Sequence, residues 1–274
     1  MMQPTITTDR ATVYCAGFED VAPTLADGLA TLAILDGPYN MRKAEWDKFA
    51  SWDHFREWYR PHLEQVSRIL APSANLYVWG TDDSASELRE LVGSMGWTRR
   101  TRIIWDKVNP ANMMGWATST DHPSAVEVAD HYQRGRAFFQ LEGPATNVWP
   151  MTAKAYESER LRSGRLVQSK AGEDRRTTDV KPCGMYQEAL HPCQKPLAFY
   201  DRLIRSSSRP GDVVLEPFGG TMRAAVACQR LPATEARRAI CVEPDATYIE
   251  AVRPSLEFAP VAKGAQPSLF QAAK

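Results

Sequence analysis

Residues 29–35 (LATLAIL) form an unbroken apolar run without a helical stripe, closed by Asp36-Gly37-Pro38-Tyr39. Such a run reads as a parallel strand buried on both faces, because a strand with one wet face alternates polar and apolar residues. Asp212-Val213-Val214-Leu215 repeats the pattern and closes in Glu216-Pro217-Phe218-Gly219-Gly220. Open α/β sheets bind ligands beyond the carboxyl ends of their strands, so two polar turns of this kind imply two neighbouring half-sites. That is the geometry of an enzyme with two substrates.

Elsewhere strand and helix signals alternate. Residues 52–70 carry Phe55, Tyr59, Leu63, Val66 and Leu70 at spacings of three and four, an amphipathic helix that tolerates Pro61. Strands are expected at 75–80, 102–105, 213–215 and 239–242, and helices at 84–93, 196–205 and 222–231, while 124–132 reads as an alternating edge strand. Repeated β-α units predict a doubly wound, mostly parallel α/β sheet. From about 133 to 190 the pattern dissolves into Gly, Pro, Ser and Thr, with basic residues spread among them. A solvated loop region and a substrate-contacting insertion both fit that stretch.

Composition narrows the class. The chain has 274 residues, 43% apolar and 24% charged, enough for one large α/β domain with an insertion. It has no apolar stretch near the roughly 20 residues that span a bilayer and no signal-like amino terminus, so a cytoplasmic protein is expected. The five cysteines (Cys15, Cys183, Cys193, Cys228, Cys241) are odd in number and include no CxxC pair, which fits a reducing compartment. Cys183, His191 and Cys193 match no common zinc spacing, so no metal is expected. Lys plus Arg (33) equals Asp plus Glu (33), so no overall basic field announces nucleic acid and any such surface must be local.

The two turns carry chemistry. A strand running through Phe218-Gly219-Gly220 into a helix brings bare backbone against a bound molecule, and Glu243, at the end of the next strand, can accept hydrogen bonds from two ribose hydroxyls. No GxGxxG phosphate loop is present, which favours a nucleoside without phosphate, although a plain tight turn accounts for Gly-Gly equally well. At the first turn, the Asp36 carboxylate, the Gly37 and Pro38 carbonyls and the Tyr39 ring could receive a planar group bearing an amino substituent. Two acceptors that hold both protons of an NH2 keep its lone pair out of the ring and make the nitrogen nucleophilic. The competing reading is an ordinary β-turn, since Asp-Gly and Gly-Pro are frequent turn dipeptides.

Five segments taken in order resemble the amino-methyltransferases of DNA that modify adenine N6 or cytosine N4, in the permuted (beta-class) order with the catalytic half first. Asp36-Gly37-Pro38-Tyr39 resembles their (Asp/Asn/Ser)-Pro-Pro-Tyr motif, and Ile104-Trp105-Asp106-Lys107 a run common after their fifth strand. His191-Pro192-Cys193-Gln194-Lys195-Pro196 is similar to the His-Pro-x-Gln-Lys-Pro segment, residues 214–221 to Asp-Pro-Phe-x-Gly-x-Gly, and residues 243–248 to the acidic ribose motif. The resemblance implies a methyltransferase sheet with a catalytic half over 1–132, a target recognition insertion over 133–190, a cofactor half over 191–257 and a flexible tail over 258–274. It implies S-adenosylmethionine held by Glu216, Pro217, Phe218, Gly219, Gly220, Thr221, Glu243, Asp245, Gln194 and Lys195, with Asp36 at its methyl end. The catalytic set would be Asp36, Gly37, Pro38 and Tyr39, acting on a base flipped out of double-stranded DNA. Arg134, Arg136, Arg160, Arg162, Arg165, Lys170, Arg175 and Arg176 would divide between phosphates and base edges.

The motif departs from the family at Gly37, at Met222 in place of the second glycine, at Glu216 in place of Asp, and at Ala16-Gly17-Phe18 in place of a Gly-Asp-Cys that touches the cofactor's adenine. Asp36 followed by Asn40 tilts the expectation to adenine N6. The alternatives are an N4-cytosine methyltransferase, a non-catalytic cofactor-binding DNA-recognition protein, and an RNA or free-nucleotide methyltransferase. Gln266-Pro267-Ser268-Leu269-Phe270 in the tail resembles the bacterial sliding-clamp pentapeptide, with Gln266, Leu269 and Phe270 as its anchors. Restriction-modification and orphan roles both fit, as does a homodimer.

Overall fold

Strand β3 (Ala30–Leu35) is buried on both sides, as its apolar run requires. Leu32 and Ile34 enter one apolar core, Ala33 and Leu35 the other. The period of two along an extended chain thus sends one run into two cores. The computed structural model describes residues 3–107, 124–141, 145–150 and 194–257. The described elements, in chain order, are β1 (Ile6–Thr7), β2 (Ala11–Tyr14), α1 (Phe18–Val21), β3, α2 (Trp52–Ile69), β4 (Leu70–Gly80), α3 (Asp82–Ser94), β5 (Thr98–Asp106), β6 (Val126–Arg134) and β7 (Val148–Pro150). They continue with α4 (Leu197–Ser207), β8 (Val213–Glu216), α5 (Arg223–Arg230), β9 (Arg238–Val242) and α6 (Ala246–Glu257).

All strands join one nine-stranded sheet of order β1-β2-β9-β8-β3-β4-β6-β5-β7. Pairs β2/β9, β9/β8, β8/β3, β3/β4 and β5/β7 are parallel. Helices α4, α5 and α6 share one core and α1, α2 and α3 the other, so the sheet is doubly wound as expected. Winding from β3 proceeds toward β4 and from β8 toward β9. The β3/β8 seam, with Leu32 opposite Val214 and Ala33 opposite Leu215, is therefore the topological switch point where a ligand crevice opens.

Local sequence explains the helix starts. Ser51 caps α2 by accepting the His54 N–H at 3.1 Å, and Thr81 with Ser84 forms a capping box on α3. Pro61 lies inside α2 at an exposed position, where water can serve the carbonyl that loses its partner. No helix among the described residues is long and apolar enough to cross a membrane.

The structure corrects several sequence readings. Strand β6 is not an edge: it lies between β4 and β5, antiparallel to both, and Val128 to Tyr132 are buried. Alternation in its sequence was a poor guide because Asp130, wholly buried, is satisfied by Arg102 at 2.8 and 2.9 Å and by Arg99 at 3.1 Å. The amino-terminal β2 pairs with β9, a strand of the 191–257 segment, and not with β3 or β4. Gln133 and Arg134 complete β6 and do not begin an insertion.

Arg134 is engaged within the fold, and Arg136 is exposed just beyond the end of β6. β6 starts near the carboxyl end of β4, with Val128 opposite Gly80, and ends at the far side of the sheet, with Arg134 opposite Ala74. Arg134 donates to Ser67 Oγ and to the carbonyls of Ser67, Leu70 and Ala71 at 2.7–3.0 Å, over the Trp97 ring. It closes the carboxyl end of α2, whose last carbonyls have no helical partner. Arg134→Ala should lower unfolding stability by about 2–3 kcal/mol in urea titration, with DNA affinity of the folded protein unchanged.

Candidate active site at the switch point

Both polar turns meet at the β3/β8 seam. Asp36 follows β3, and Lys195, which precedes α4, reaches it across the seam with Nζ 2.8 Å from Asp36 Oδ1. Tyr39 Oη donates to the same oxygen. Among the described residues Oδ2 accepts no hydrogen bond, so one carboxylate oxygen is tethered and the other is presented. Lys195 is buried, lies 3.1 Å from Glu127 Oε2 and sits over the Tyr39 and Trp79 rings at 5.0 and 5.5 Å. Glu127 in turn meets Lys107 Nζ at 2.5 Å. Burial alone would raise the Glu127 carboxyl, but the ammonium groups of Lys195 and Lys107 outweigh it and hold the group down at about 2.

Gly37 has a definite reason. A Cβ there would run into Tyr59 Oη and come within 2.8 Å of the Phe218 ring, so the turn admits no side chain. Tyr59 Oη donates to the Pro38 carbonyl at 3.0 Å. Phe218 is half-buried among Phe18, Trp58, Tyr59 and His62, with ring centroids 5.6–6.3 Å away. The loop after Tyr39 is fixed by Asp47, whose buried carboxylate accepts the N–H groups of Tyr39, Asn40, Met41 and Lys43 at 2.6–3.3 Å. Asn40 accepts the Phe49 N–H at 3.1 Å and so braces this loop. Asp36, Gly37, Tyr39, Met41, Lys43, Trp46 and Asp47 line a shallow, open pocket.

On the β8 side, Gly219 lies against β9: a Cβ would stand 3.1 Å from the Val242 carbonyl and 3.5 Å from Glu243 Cβ. The Glu243 carboxylate accepts the Gly220 N–H at 2.7 Å and the Asp245 N–H at 2.9 Å. Burial pushes this carboxyl above its usual value, against the pull of those two N–H groups. Each oxygen keeps acceptor capacity for a diol. Bare backbone, a fixed acid and a facing aromatic fit the nucleoside of S-adenosylmethionine, and the site offers no phosphate cradle. Met222 holds the left-handed conformation (φ 46°, ψ 53°) that a glycine would adopt without strain, and its side chain is buried.

The other expected ligands have partners within the protein. Glu216 is buried beneath the turn, accepting from the Ala224 N–H at 3.0 Å and the Cys241 thiol at 3.1 Å. Burial pushes it up to about 8, against the opposing pull of Cys241, Ala224 and Tyr200. Asp245 starts α6, accepting the Thr247 N–H at 2.8 Å. Gln194 faces the Arg223 guanidinium, with its carbonyl 3.2 Å from Arg223 Nε. Pro217 and Thr221 are buried in the turn. Arg160, Arg162, Arg165, Lys170, Arg175, Arg176, the Cys183/His191/Cys193 set and Gln266 to Phe270 lie outside the described residues. Glu127 and Asp47 escaped sequence reasoning. The acidic position in the Val126-Glu127-Val128 run was the only available signal for the first, and the second had none.

Fold and site together define a nucleoside-cofactor transferase with its acceptor pocket at the switch point. Residues 30–254 match the family model described as "DNA methylase", of the N6/N4 type, and the chain belongs to that family of S-adenosylmethionine-dependent DNA amino-methyltransferases. It is 24% identical over 209 residues to the type II methyltransferase M1.MboII of Moraxella bovis, covering 73% of this chain and 80% of that one. Its fold is similar to that of the PvuII cytosine-N4-specific DNA methyltransferase, with TM-score 0.70, 14% identity and coverage of 95% and 91% of the two chains. It is also similar to M1.HpyAVI solved with S-adenosylmethionine, with TM-score 0.58, 17% identity and coverage of 90% and 99%.

The raised Glu216 carboxyl makes stability depend on pH. Between the ordinary carboxylate value and about 8 the folded state keeps a proton that the unfolded chain has lost, so stability falls as pH rises through that window. Glu216→Gln should therefore flatten the pH profile and exceed the wild type by roughly 2–4 kcal/mol at pH 9, read by urea unfolding from pH 5 to 9.

Proposed function

We propose that this enzyme methylates the N6 amino group of adenine in double-stranded DNA, at a site read by the segment within 133–190. The observation that carries the reading is the asymmetry of Asp36, a residue that lines the pocket: Lys195 and Tyr39 hold Oδ1, which leaves Oδ2 to accept an amino proton. The flipped base would stack on Tyr39, at a flipping cost of a few kcal/mol. Its second amino proton would go to the Gly37 carbonyl. With both protons held, the nitrogen lone pair points out of conjugation. Bound S-adenosylmethionine, held by Phe218, Gly219, Gly220 and Glu243, supplies an electrophilic methyl group. After attack the nitrogen sheds a proton, for which Asp36 Oδ2 is the placed acceptor, while Glu127 shares the charge of Lys195 and keeps Asp36 electron-rich.

Cytosine N4 is the second reading, favoured by the likeness to the cytosine-N4-specific PvuII enzyme. The cytoplasm is the proposed location. Incubation of unmethylated DNA with isotopically labelled cofactor, followed by mass spectrometry of the nucleosides, should give labelled N6-methyladenine. Labelled N4-methylcytosine selects the second reading, and label in neither base with cofactor still bound selects the non-catalytic one. Asp36→Ala should reduce transfer at least 10³-fold and change cofactor affinity less than about two-fold. The tail motif at Gln266, Leu269 and Phe270 supports docking to a sliding clamp, a proposal that ends if a tail peptide fails to bind the clamp at micromolar concentration.

A further inference from the structure

Two of the large apolar side chains that folding leaves exposed, Trp46 and Met41, each 46% exposed, line the pocket that holds Asp36 and Tyr39. They do not sit on a loose loop. The Asp47 carboxylate gathers four backbone N–H groups of residues 39–43, the Arg42 N–H bonds to the Asp47 carbonyl at 3.0 Å, and Asn40 Oδ1 takes the Phe49 N–H. Asn40 and Arg42 both adopt positive φ (62° and 58°), conformations kept only where surrounding bonds over-determine them. The result is an apolar lip whose backbone is ordered before anything binds. Arg42 and Lys43 are exposed on the same lip, and among the described residues neither side chain makes an ion pair, whereas Lys48 is paired with Glu45. An aromatic beside two unpaired cations, next to a carboxylate that receives an amine, is complementary to a nucleotide: a planar face with a phosphate on either side.

We propose that residues 40–48 form the preordered wall of the target-base pocket, with the Trp46 indole and the Met41 thioether held against the extrahelical base and Arg42 and Lys43 on the flanking phosphates. A base leaving the duplex loses its stacking partners, and a side chain already in place replaces one of them without paying to order itself. The proposal rests on the DNA amino-methyltransferase reading. A different use of the same lip, filling the gap that the base leaves in the duplex, would need no base at all, and this separates the two.

The test first maps the modified site in unmethylated genomic DNA treated with the wild-type enzyme. Duplexes carrying that site, with the target base present or removed to leave an abasic sugar, are then titrated with wild type, Trp46→Phe and Trp46→Ala in the presence of cofactor. Trp46→Ala should bind the intact duplex on the order of ten-fold more weakly, bind the abasic duplex as the wild type does, and keep its cofactor affinity. Trp46→Phe should recover most of the loss, which a fold defect would not allow. Equal weakening on both duplexes, or none on either, overturns the base-wall assignment and leaves the enzyme reading intact. Absence of any methyl transfer by the wild type overturns both.

Discussion

The ammonium of Lys195 is the point on which the site turns. It is buried, it immediately precedes α4, and it lies between Asp36, just after β3, and Glu127 on β6. A lysine in such a place costs several kcal/mol of lost hydration unless carboxylates offset it. The chain Asp36–Lys195–Glu127–Lys107 alternates in charge and closes to neutrality. Because the compensation is mutual, none of the four can be placed independently. The orientation of the Asp36 carboxylate is thus decided by a strand far from it in sequence. Lys195, expected from the sequence among the cofactor ligands, is bonded to Asp36, so one ion pair ties the two polar turns together.

The departures from the family motifs form two kinds of compensation. At Gly37 the missing ring of proline is replaced from outside by Tyr59 and Phe218, which occupy the space and fix the turn by contact. At Met222 the backbone keeps the glycine conformation at a cost of roughly 1 kcal/mol, and burial of the Met side chain offsets it. At Glu216 the longer acid withdraws beneath the turn and is held as a neutral group. None of the three removes the tethered carboxylate or the cradle at Gly219 and Gly220.

What was legible in the sequence was whatever a local run can encode. Residues 29–35 announced a doubly covered strand because both faces are apolar, and the polar residues that end β3 and β8 marked the switch point. Helix α2 was readable from the spacing of its apolar residues. The rest depended on partners distant in the chain. Asp130 looks like an outward-facing strand residue until three arginines are placed around it. Nothing near Arg134 in sequence announces that its guanidinium closes the carboxyl end of α2. Asp47 is an ordinary loop acid by composition, and its role exists only once the backbone of residues 39–43 curls over it.

The crowding at Gly37 bears on the history of the site. A proline at that position, the residue the family motif carries, would place ring atoms where Tyr59 and Phe218 already stand. The common form of the motif is therefore a forbidden step for this chain taken alone. It becomes accessible only together with a smaller or displaced residue at position 59 or 218, one on each side of the switch point. Positions 37, 59 and 218 form an epistatic set, and a substitution judged neutral or improving by its frequency among relatives would be deleterious in this background.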